Sequence, residues 1–225
     1  IVTGDWSSDV CSSDLIKVSD EEVKIRDFGR GIPLGKVIDC VSKINTGGKY
    51  DSEAFQKSVG LNGVGTKAVN ALSSFFKVES FRDGKVKSAE FEYGNIKNDN
   101  NITKSDEKNG TYIEFKPDSE IFKNYHFIPE YLEDQLWNYA FLNSGLSISY
   151  NSKKIQSKNG LLDLLERKTD IDSIRYPIIH SKGNDIEFAM THTNQYGEEY
   201  FSFVNGQYTT QGGDRKSTRL NSSHQ

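Results

Sequence analysis

Two glycine-rich motifs carry the residue types in this chain that could do chemistry. The first is residues 27–31 (DFGRG), and the second is residues 60–65 (GLNGVG), which begins 33 residues after Asp27. A buried aspartate can accept a hydrogen bond from the exocyclic amine of adenine. A glycine loop that opens a helix offers backbone N–H groups and a positive dipole end to phosphates. The ordered pair therefore predicts a site that holds the two ends of one nucleotide.

Each motif alone also has an ordinary structural interpretation. Asp and Gly are common turn residues, so residues 27–33 (DFGRGIP) could be a solvated turn. The second motif follows the pattern G-x-x-G-x-G, which differs from the G-x-G-x-x-G dinucleotide fingerprint. Residues 16–213 also contain no G-x-x-x-x-G-K-[ST] phosphate-binding loop. Phosphate binding would therefore depend on backbone amides, with Lys49 and Lys67 either helping or lying on a solvated face.

Both ends of the chain suggest a non-biological origin. Residues 6–15 (WSSDVCSSDL) and 214–223 (DRKSTRLNSS) can be back-translated into DNA strings that are reverse complements of each other. We interpret them as one sequencing adapter translated on opposite strands; the alternative is a pair of Ser-rich disordered tails. Residues 1–15 and 214–225 are therefore excluded from the fold prediction, and the native reading frame is expected to be truncated at both ends.

Composition restricts what the remaining residues 16–213 can be. They contain 25 basic and 28 acidic residues, so they lack the basic footprint of a nucleic-acid-binding domain, and any DNA contact would be local. Cys40 is the one cysteine of this segment, which excludes an internal disulfide framework and fits a reducing, cytoplasmic location. No apolar run approaches the length of a membrane span, so no membrane partner is expected.

The periodicity of apolar residues predicts the elements that would position the two motifs. Residues 16–18 and 23–26 alternate and indicate a hairpin that leads into Asp27, and residues 34–44 have the spacing of an amphipathic helix. The further predicted elements are a loop at 45–59, a helix from Val64 to Phe75, strands at 75–82, 86–93 and 111–116, an exposed connection at 94–109, a helix from Pro129, a strand at 147–150, a helix at 160–167, and strands at 174–179, 185–193 and 198–204. A domain boundary is predicted near residue 170.

The motifs resemble those of the GHKL ATPases, and closely those of the ATPase subunit of bacterial type IIA topoisomerases. The segments that carry the resemblance are IRDFGRGIPLG, INTGGKYDSEAFQKSVGLNGVGTKAVNALS, NGTYIEF, FLNSGLSI and FVNGQYTTQGG, in the family's order. Two stretches within them, GLNGVGTKAVNALSS and VNGQYTTQGG, are more similar to the B subunit of topoisomerase IV than to gyrase B. The resemblance implies an α/β fold: a GHKL (Bergerat) two-layer sandwich of mixed β-sheet and helices over 16–170, then the start of an α+β transducer domain over 171–213.

The resemblance also assigns ATP-binding roles to residues at matching positions. Those residues are Asp27, Arg30, Gly31, Ile32, Pro33, Lys49, Gly60, Leu61, Asn62, Gly63, Val64, Gly65 and Thr111. Asp27 would accept from the adenine amine, with Gly31 and Thr111 completing that contact. Arg30 and Pro33 would line the mouth where coumarin-type inhibitors contact this family. Lys49, in the ATP lid, would face the phosphates, and the second glycine motif would wrap them.

The family as a whole implies cofactors, partners and a reaction. The cofactors are ATP and Mg²⁺, and the reaction is ATP hydrolysis by a type II DNA topoisomerase, an isomerase that passes one DNA duplex through another. The partners would be a second copy joined through the ATPase domains, the DNA-cleaving A subunit of the topoisomerase, and double-stranded DNA.

The family's catalytic Glu and Mg²⁺-binding Asn would precede Ile16. We therefore expect no catalytic or metal-binding residue in this chain, which would bind ATP without hydrolysing it. The alternatives are another GHKL ATPase of the histidine kinase, chaperone or mismatch-repair type, or a non-enzymatic nucleotide-binding module.

Overall fold

One mixed β-sheet with helices packed on it forms the main body of the chain. The computed structural model describes residues 13–44, 64–184, 186–204 and 206–209. Within these ranges the helices are α1 (Val37–Ser42), α2 (Gly65–Ala71), α3 (Pro129–Leu142) and α4 (Leu161–Lys168). The strands are β1 (Ser13–Val18), β2 (Val23–Arg26), β3 (Ser73–Arg82), β4 (Lys85–Glu92), β5 (Asn95–Asp99), β6 (Thr103–Lys104), β7 (Gly110–Pro117), β8 (Ser147–Tyr150), β9 (Lys153–Gln156), β10 (Ile179–Lys182), β11 (Glu187–Met190), β12 (Phe203–Val204) and β13 (Gln207–Tyr208).

The order of the strands places β2 and β7 in the middle of the large sheet. That order is β5-β4-β3-β7-β2-β1-β8-β9, with β6 paired to β4. The β1–β8 pair is parallel, whereas the β1–β2, β2–β7 and β3–β7 pairs are antiparallel. Strands β10 and β11 form a separate hairpin, as do β12 and β13. The expected α/β fold with a mixed sheet is therefore confirmed, and Asp27 directly follows a central strand.

The core lies on one face of the sheet, under the helices. Every second residue along each strand points to that face. One cluster consists of Val37, Val41, Phe76, Val78, Ala89, Phe91 and Ile113, and α1 contributes its first two members. A second cluster under α3 consists of Leu136, Ala140, Leu146, Ile148, Tyr150 and Ile155. Burying these side chains supplies the main favourable free energy of folding, at about 25 cal/mol per Å² of apolar area.

The opposite face of the sheet carries charged side chains. Lys24 forms ion pairs with Glu22 and Glu114, and Lys77 pairs with Glu79. These residues alternate along their strands with the buried apolar ones. One apolar and one charged face is the pattern of a two-layer sandwich in which helices cover a single side of the sheet.

Several predicted elements are confirmed with adjusted bounds. The hairpin before Asp27 is formed by β1 and β2, and β1 begins at Ser13, so residues 13–15 of the excluded segment lie in the sheet. The helix predicted at 34–44 consists of a 3₁₀ turn at Leu34–Lys36 followed by α1. The strands predicted at 75–82, 86–93 and 111–116 correspond to β3, β4 and β7. The loop predicted at 45–59 lies outside the described residues.

Other predicted elements are wrong. The helix predicted to reach Phe75 ends at Ala71, because Phe75 pairs with Lys116 in the sheet. The connection predicted at 94–109 contains β5 and β6, which are held by backbone pairing to β4 although their side chains are exposed. The predicted strand at 174–179 is limited to one bridge between Ile174 and Thr193 before β10 begins. Strand β9 was not predicted.

Candidate nucleotide-binding site

Asp27 presents a buried carboxylate at the end of β2. Only 7% of the residue is exposed. Its Oδ1 accepts a hydrogen bond from the backbone N–H of Gly29 at 3.0 Å, and its own backbone N–H donates to the Thr111 carbonyl at 2.9 Å. The turn therefore folds back on its own aspartate, and both the backbone and the side chain of Asp27 are held in place.

The electrostatics of Asp27 combine burial with compensating hydrogen bonds. Burial raises the pKa of its carboxyl above the ordinary value, whereas hydrogen bonds from Gly29 and Thr111 and the charge of Arg26 act in the opposite direction. A buried carboxylate that keeps such partners is a strong hydrogen-bond acceptor for an incoming N–H donor.

Two glycines allow the backbone around Asp27 to pack without side chains. Gly31 has a φ of 73°, and a Cβ there would lie 2.5 Å from the Phe81 carbonyl oxygen. Gly110 has a φ of 138°, and a Cβ there would lie 2.1 Å from the Asp27 carbonyl oxygen. Both positions combine a left-handed backbone with contacts too short for any side chain, so glycine is required at each of them.

Arg26 holds the outer side of the turn. Its guanidinium donates to the carbonyls of Asp27 and Lys108, at 2.6 and 2.5 Å. The same group lies 4.7 Å from the ring centre of Phe28 and 4.4 Å from that of Phe81. The bonds and ring contacts join the turn to the segment that leads into β7.

A row of four polar side chains crosses the buried face of the sheet at this end, one from each of four neighbouring strands or strand ends. Ser80 on β3 is paired with Thr111 on β7, and Thr111 bonds to Asp27 after β2. On β1, Leu15 pairs with Arg26, which places Asp14 opposite Asp27. All four residues are buried, at 7% exposure or less.

Asp14 is the least satisfied member of this polar row. Its Oδ1 is buried without a hydrogen-bond partner among the described residues. Burial, together with the neighbouring charge of Asp27, raises the pKa of the Asp14 carboxyl to about 7. The row therefore contains two carboxyls whose simultaneous ionisation is unfavourable.

The second glycine motif is described only at its end. Val64 and Gly65 lie at the start of α2, whereas Lys49, Gly60, Leu61, Asn62 and Gly63 lie outside the described residues. Among the described residues, no atom lies within 4 Å of the position that a Cβ on Gly65 would occupy. Lys67 is buried on α2, and its charge lowers the pKa of the Cys40 thiol on α1, against the larger effect of burial, which raises it.

The remaining predicted residues surround the Asp27 turn. Ile32 is half-buried and accepts a hydrogen bond from Ser80 through its carbonyl, while Arg30 and Pro33 are at the rim. The structure thus brings together the members of the first motif with Thr111. Sequence reasoning missed Ser80, Arg26 and Gly110. Ser80 could have been found, because it continues the inward-facing alternation of Phe76 and Val78 with a polar residue.

Metal clusters and membrane-spanning helices are both absent from the part of the chain that the structure describes. In those ranges, no three His, Cys, Asp or Glu side chains are grouped so as to hold a metal ion. Over the same described ranges, no helix has the length and apolar character needed to cross a membrane.

The fold and the site together define a class of protein. No protein-family model matches the chain. Among solved structures, the fold is similar to the 43K ATPase domain of gyrase B from Thermus thermophilus, in complex with an aminocoumarin, with a TM-score of 0.68, 23% identity, and coverage of 87% of this chain and 55% of that chain. The architecture is that of a GHKL ATPase domain.

Sequence comparison narrows this class to one family. The chain is 54% identical over 199 residues to the B subunit of DNA topoisomerase 4 from Borreliella burgdorferi, which covers 88% of this chain and 33% of that protein. It is 31% identical to the B subunit of DNA gyrase from Thermotoga maritima, over 89% of this chain and 36% of that protein. The chain is a homologue of the B subunits of the type IIA DNA topoisomerases, and it spans about a third of the length of these relatives.

Proposed function

We propose that this chain binds ATP, with Asp27 recognising the adenine base. The observation that carries the proposal is the buried Asp27 carboxylate, held by Gly29 and Thr111 at the end of a central strand. The exocyclic amine of adenine is an N–H donor that fits this acceptor. Guanine has a carbonyl oxygen at the corresponding ring position, which would face the carboxylate without a proton between them. The site therefore favours adenine over guanine.

The shape of the turn supports a flat ligand beside Asp27. On the side that a Cβ would occupy, Gly31 lies against the carbonyl oxygens of Phe81 and Gly110, so a planar base would approach the other side of its backbone. Ile32 supplies apolar surface on the inner side, and Arg30 and Pro33 form the rim. Base-binding sites usually combine apolar surface with a few fixed polar groups, and Ile32 and Asp27 would supply one of each.

The triphosphate would extend from this base site toward the start of α2. Here the proposal uses the resemblance of residues 60–65, with Val64 and Gly65 leading into the helix and Lys49 facing the phosphates. No described atom lies within 4 Å of the position that a Cβ on Gly65 would occupy, which is compatible with a close approach of phosphate oxygens to this backbone. The described residues contain no cluster of three His, Cys, Asp or Glu side chains, and Mg²⁺ enters this proposal only as a companion of the triphosphate, with no step assigned to it.

In the whole protein, this site would serve DNA strand passage. We infer that ATP binding joins two copies through their ATPase domains, and that a DNA-cleaving A subunit and double-stranded DNA are the partners. The 54% identity to a topoisomerase IV subunit favours that type over gyrase. We further propose that residues 16–170 are the ATPase domain, that 171–213 begin the transducer domain, and that 1–15 and 214–225 are adapter-derived. The residues assigned here bind the nucleotide, and none of them is assigned as a general base.

Calorimetry with a non-hydrolysable ATP analogue tests the proposal. The chain is expected to bind the analogue, and Asp27→Asn is expected to weaken binding at least tenfold, because a charged hydrogen bond contributes about 1.5–3 kcal/mol. Asp134→Asn is the matched control, since Asp134 lies on α3 with its side chain 58% exposed. Equal binding by the chain and by Asp27→Asn would show that Asp27 does not read the base.

A further inference from the structure

Ser80 is a fully buried hydroxyl on β3, where the preceding inward-facing residues of the strand are apolar. It is 0% exposed, and it follows Phe76 and Val78 on the inward face of β3. Burying a hydroxyl is unfavourable unless it forms a hydrogen bond. The Ser80 hydroxyl forms one by donating to the carbonyl oxygen of Ile32 at 2.7 Å.

This hydrogen bond joins the sheet to the far end of the turn that begins at Asp27. At the near end, the backbone N–H of Asp27 donates to the Thr111 carbonyl at 2.9 Å. Ser80 and Thr111 are directly paired on β3 and β7. The turn is therefore attached at two points, one on each of two neighbouring strands.

The part of the turn between these two points lies close against the sheet. A Cβ on Gly31 would lie 2.5 Å from the Phe81 carbonyl oxygen, 3.1 Å from that of Gly110 and 3.1 Å from the Ser80 hydroxyl oxygen. Loss of the Ser80 bond would leave the Ile32 carbonyl without this partner. It would also remove the polar contact that holds residues 31–33 against β3.

We propose that Ser80 is a positioning residue for base recognition, which holds the backbone of residues 31–33 at the separation from Asp27 that a purine carrying an exocyclic amine requires. Ser80 itself does not touch the nucleotide in this arrangement. The inference rests on the proposed function, because it assumes that the base lies beside Asp27 and Gly31.

A simpler interpretation is that Ser80 only satisfies a buried carbonyl and so contributes to stability. The two interpretations differ in which ligands they affect. A purely structural role would leave affinity unchanged in the folded protein, or would lower it for every ligand together. A positioning role affects ligands that contain the base and spares ligands that contain phosphates alone.

The test compares Ser80→Ala and Ser80→Thr with the parent chain by calorimetry, using a non-hydrolysable ATP analogue and inorganic tripolyphosphate. Ser80→Ala is expected to weaken binding of the analogue about three- to tenfold, which corresponds to the loss of one hydrogen bond. The affinity for tripolyphosphate should be unchanged. Ser80→Thr keeps the hydroxyl and is expected to recover at least half of the loss on a logarithmic scale. Ser74→Ala, on the same strand, is the matched control. If Ser80→Ala does not fold, Ser80→Cys, a weak donor of similar volume, takes its place.

A double-mutant cycle separates this inference from the proposed function. The effect of Ser80→Ala is expected to disappear in an Asp27→Asn background, since both residues act on the same base contact. The positioning role is overturned if Asp27→Asn weakens binding of the analogue and Ser80→Ala does not. It is also overturned if Ser80→Ala weakens binding of both ligands equally. In either case the proposed function stands. If the parent chain does not bind the analogue, the proposed function fails, and the positioning role fails with it.

Discussion

The backbone N–H of Asp27 donates to the carbonyl oxygen of Thr111 at 2.9 Å, one residue beyond the last residue of β2. This bond continues the ladder between β2 and β7 into the turn. It places the Asp27 carboxylate on the buried face beside the Thr111 side chain. Asp27 therefore lies just outside β2 but is held in place by the central strands. A carboxylate that recognises a base needs such a fixed position.

Thr111→Val is expected to make nucleotide binding more sensitive to acid. Burial raises the pKa of Asp27 and the neighbouring Thr111 side chain acts against it, so loss of the Thr111 hydroxyl raises that pKa further. The ionised carboxylate is the acceptor, and binding is lost as the pH falls through the folded-state pKa of Asp27. The loss therefore begins at a higher pH in the variant. Dissociation constants measured by calorimetry as the pH is lowered from neutral should show it.

Valine preserves the shape and β-branching of threonine, so strand β7 should be unaffected. Thr103→Val, at an exposed position on β6, is the matched control. Identical pH profiles for the parent and Thr111→Val would contradict an influence of the Thr111 hydroxyl on the Asp27 carboxyl.

Gly31→Ala is expected to lower the free energy of unfolding by about 2 kcal/mol or more. The φ of 73° is unfavourable for alanine, and the added Cβ would lie 2.5 Å from a backbone carbonyl oxygen that cannot move independently of β3. Gly35→Ala is the matched control, because no described atom lies within 4 Å of its Cβ position and it sits in the 3₁₀ turn before α1. Urea denaturation compares the two, and equal midpoints would show that the turn is not packed as described.

Asp14→Asn is expected to stabilise the chain at about pH 8 and to have little effect near pH 4. The folded-state pKa of Asp14 is about 7 against an ordinary value of 3.8, so the folded chain binds the proton more tightly than the unfolded chain does. Stability is therefore lost as the pH rises from about 4 through 7, and the full loss is up to about 4 kcal/mol. Removing the carboxyl removes this dependence.

Thermal unfolding of the parent and of Asp14→Asn at about pH 5 and pH 8.5 measures the effect. The melting temperatures should diverge toward the higher pH, while Asp134→Asn should follow the parent. Parallel pH profiles would mean that Asp14 is not buried as an acid beside Asp27. Residues 1–15 are proposed to be adapter-derived. A segment that did not evolve with this fold could place a carboxyl at an inward position without a full set of partners.

The strands of the sheet centre were predictable because their burial leaves a pattern in the sequence. Phe76 and Val78 alternate with Lys77 and Glu79, which indicates one buried and one solvated face. Strand β5 leaves no such pattern, since its five residues are all exposed and backbone pairing alone defines it. The prediction of a helix through Phe75 was wrong. The apolar residues keep helical spacing up to that point, but the pairing of β3 with β7 determines the structure there.

Asp27 and Gly31 were assigned from the first motif together with the family resemblance, and the structure places both in the turn after β2. The role of Ser80 depends on a contact with Ile32, 48 residues away along the chain, and that of Gly110 on the approach of the Asp27 carbonyl. Such contacts depend on strand order, which local periodicity does not contain. Lys49 and residues 60–63 lie outside the described residues and remain predictions.

Base selectivity tests most directly whether Asp27 reads the adenine amine. Calorimetry with non-hydrolysable ATP and GTP analogues should give the parent chain at least a tenfold preference for the adenine nucleotide. In Asp27→Asn this preference should largely disappear, because the amide can offer either a donor or an acceptor to the base. A preference that is absent from the parent, or unchanged in Asp27→Asn, would contradict the role of Asp27 in base recognition.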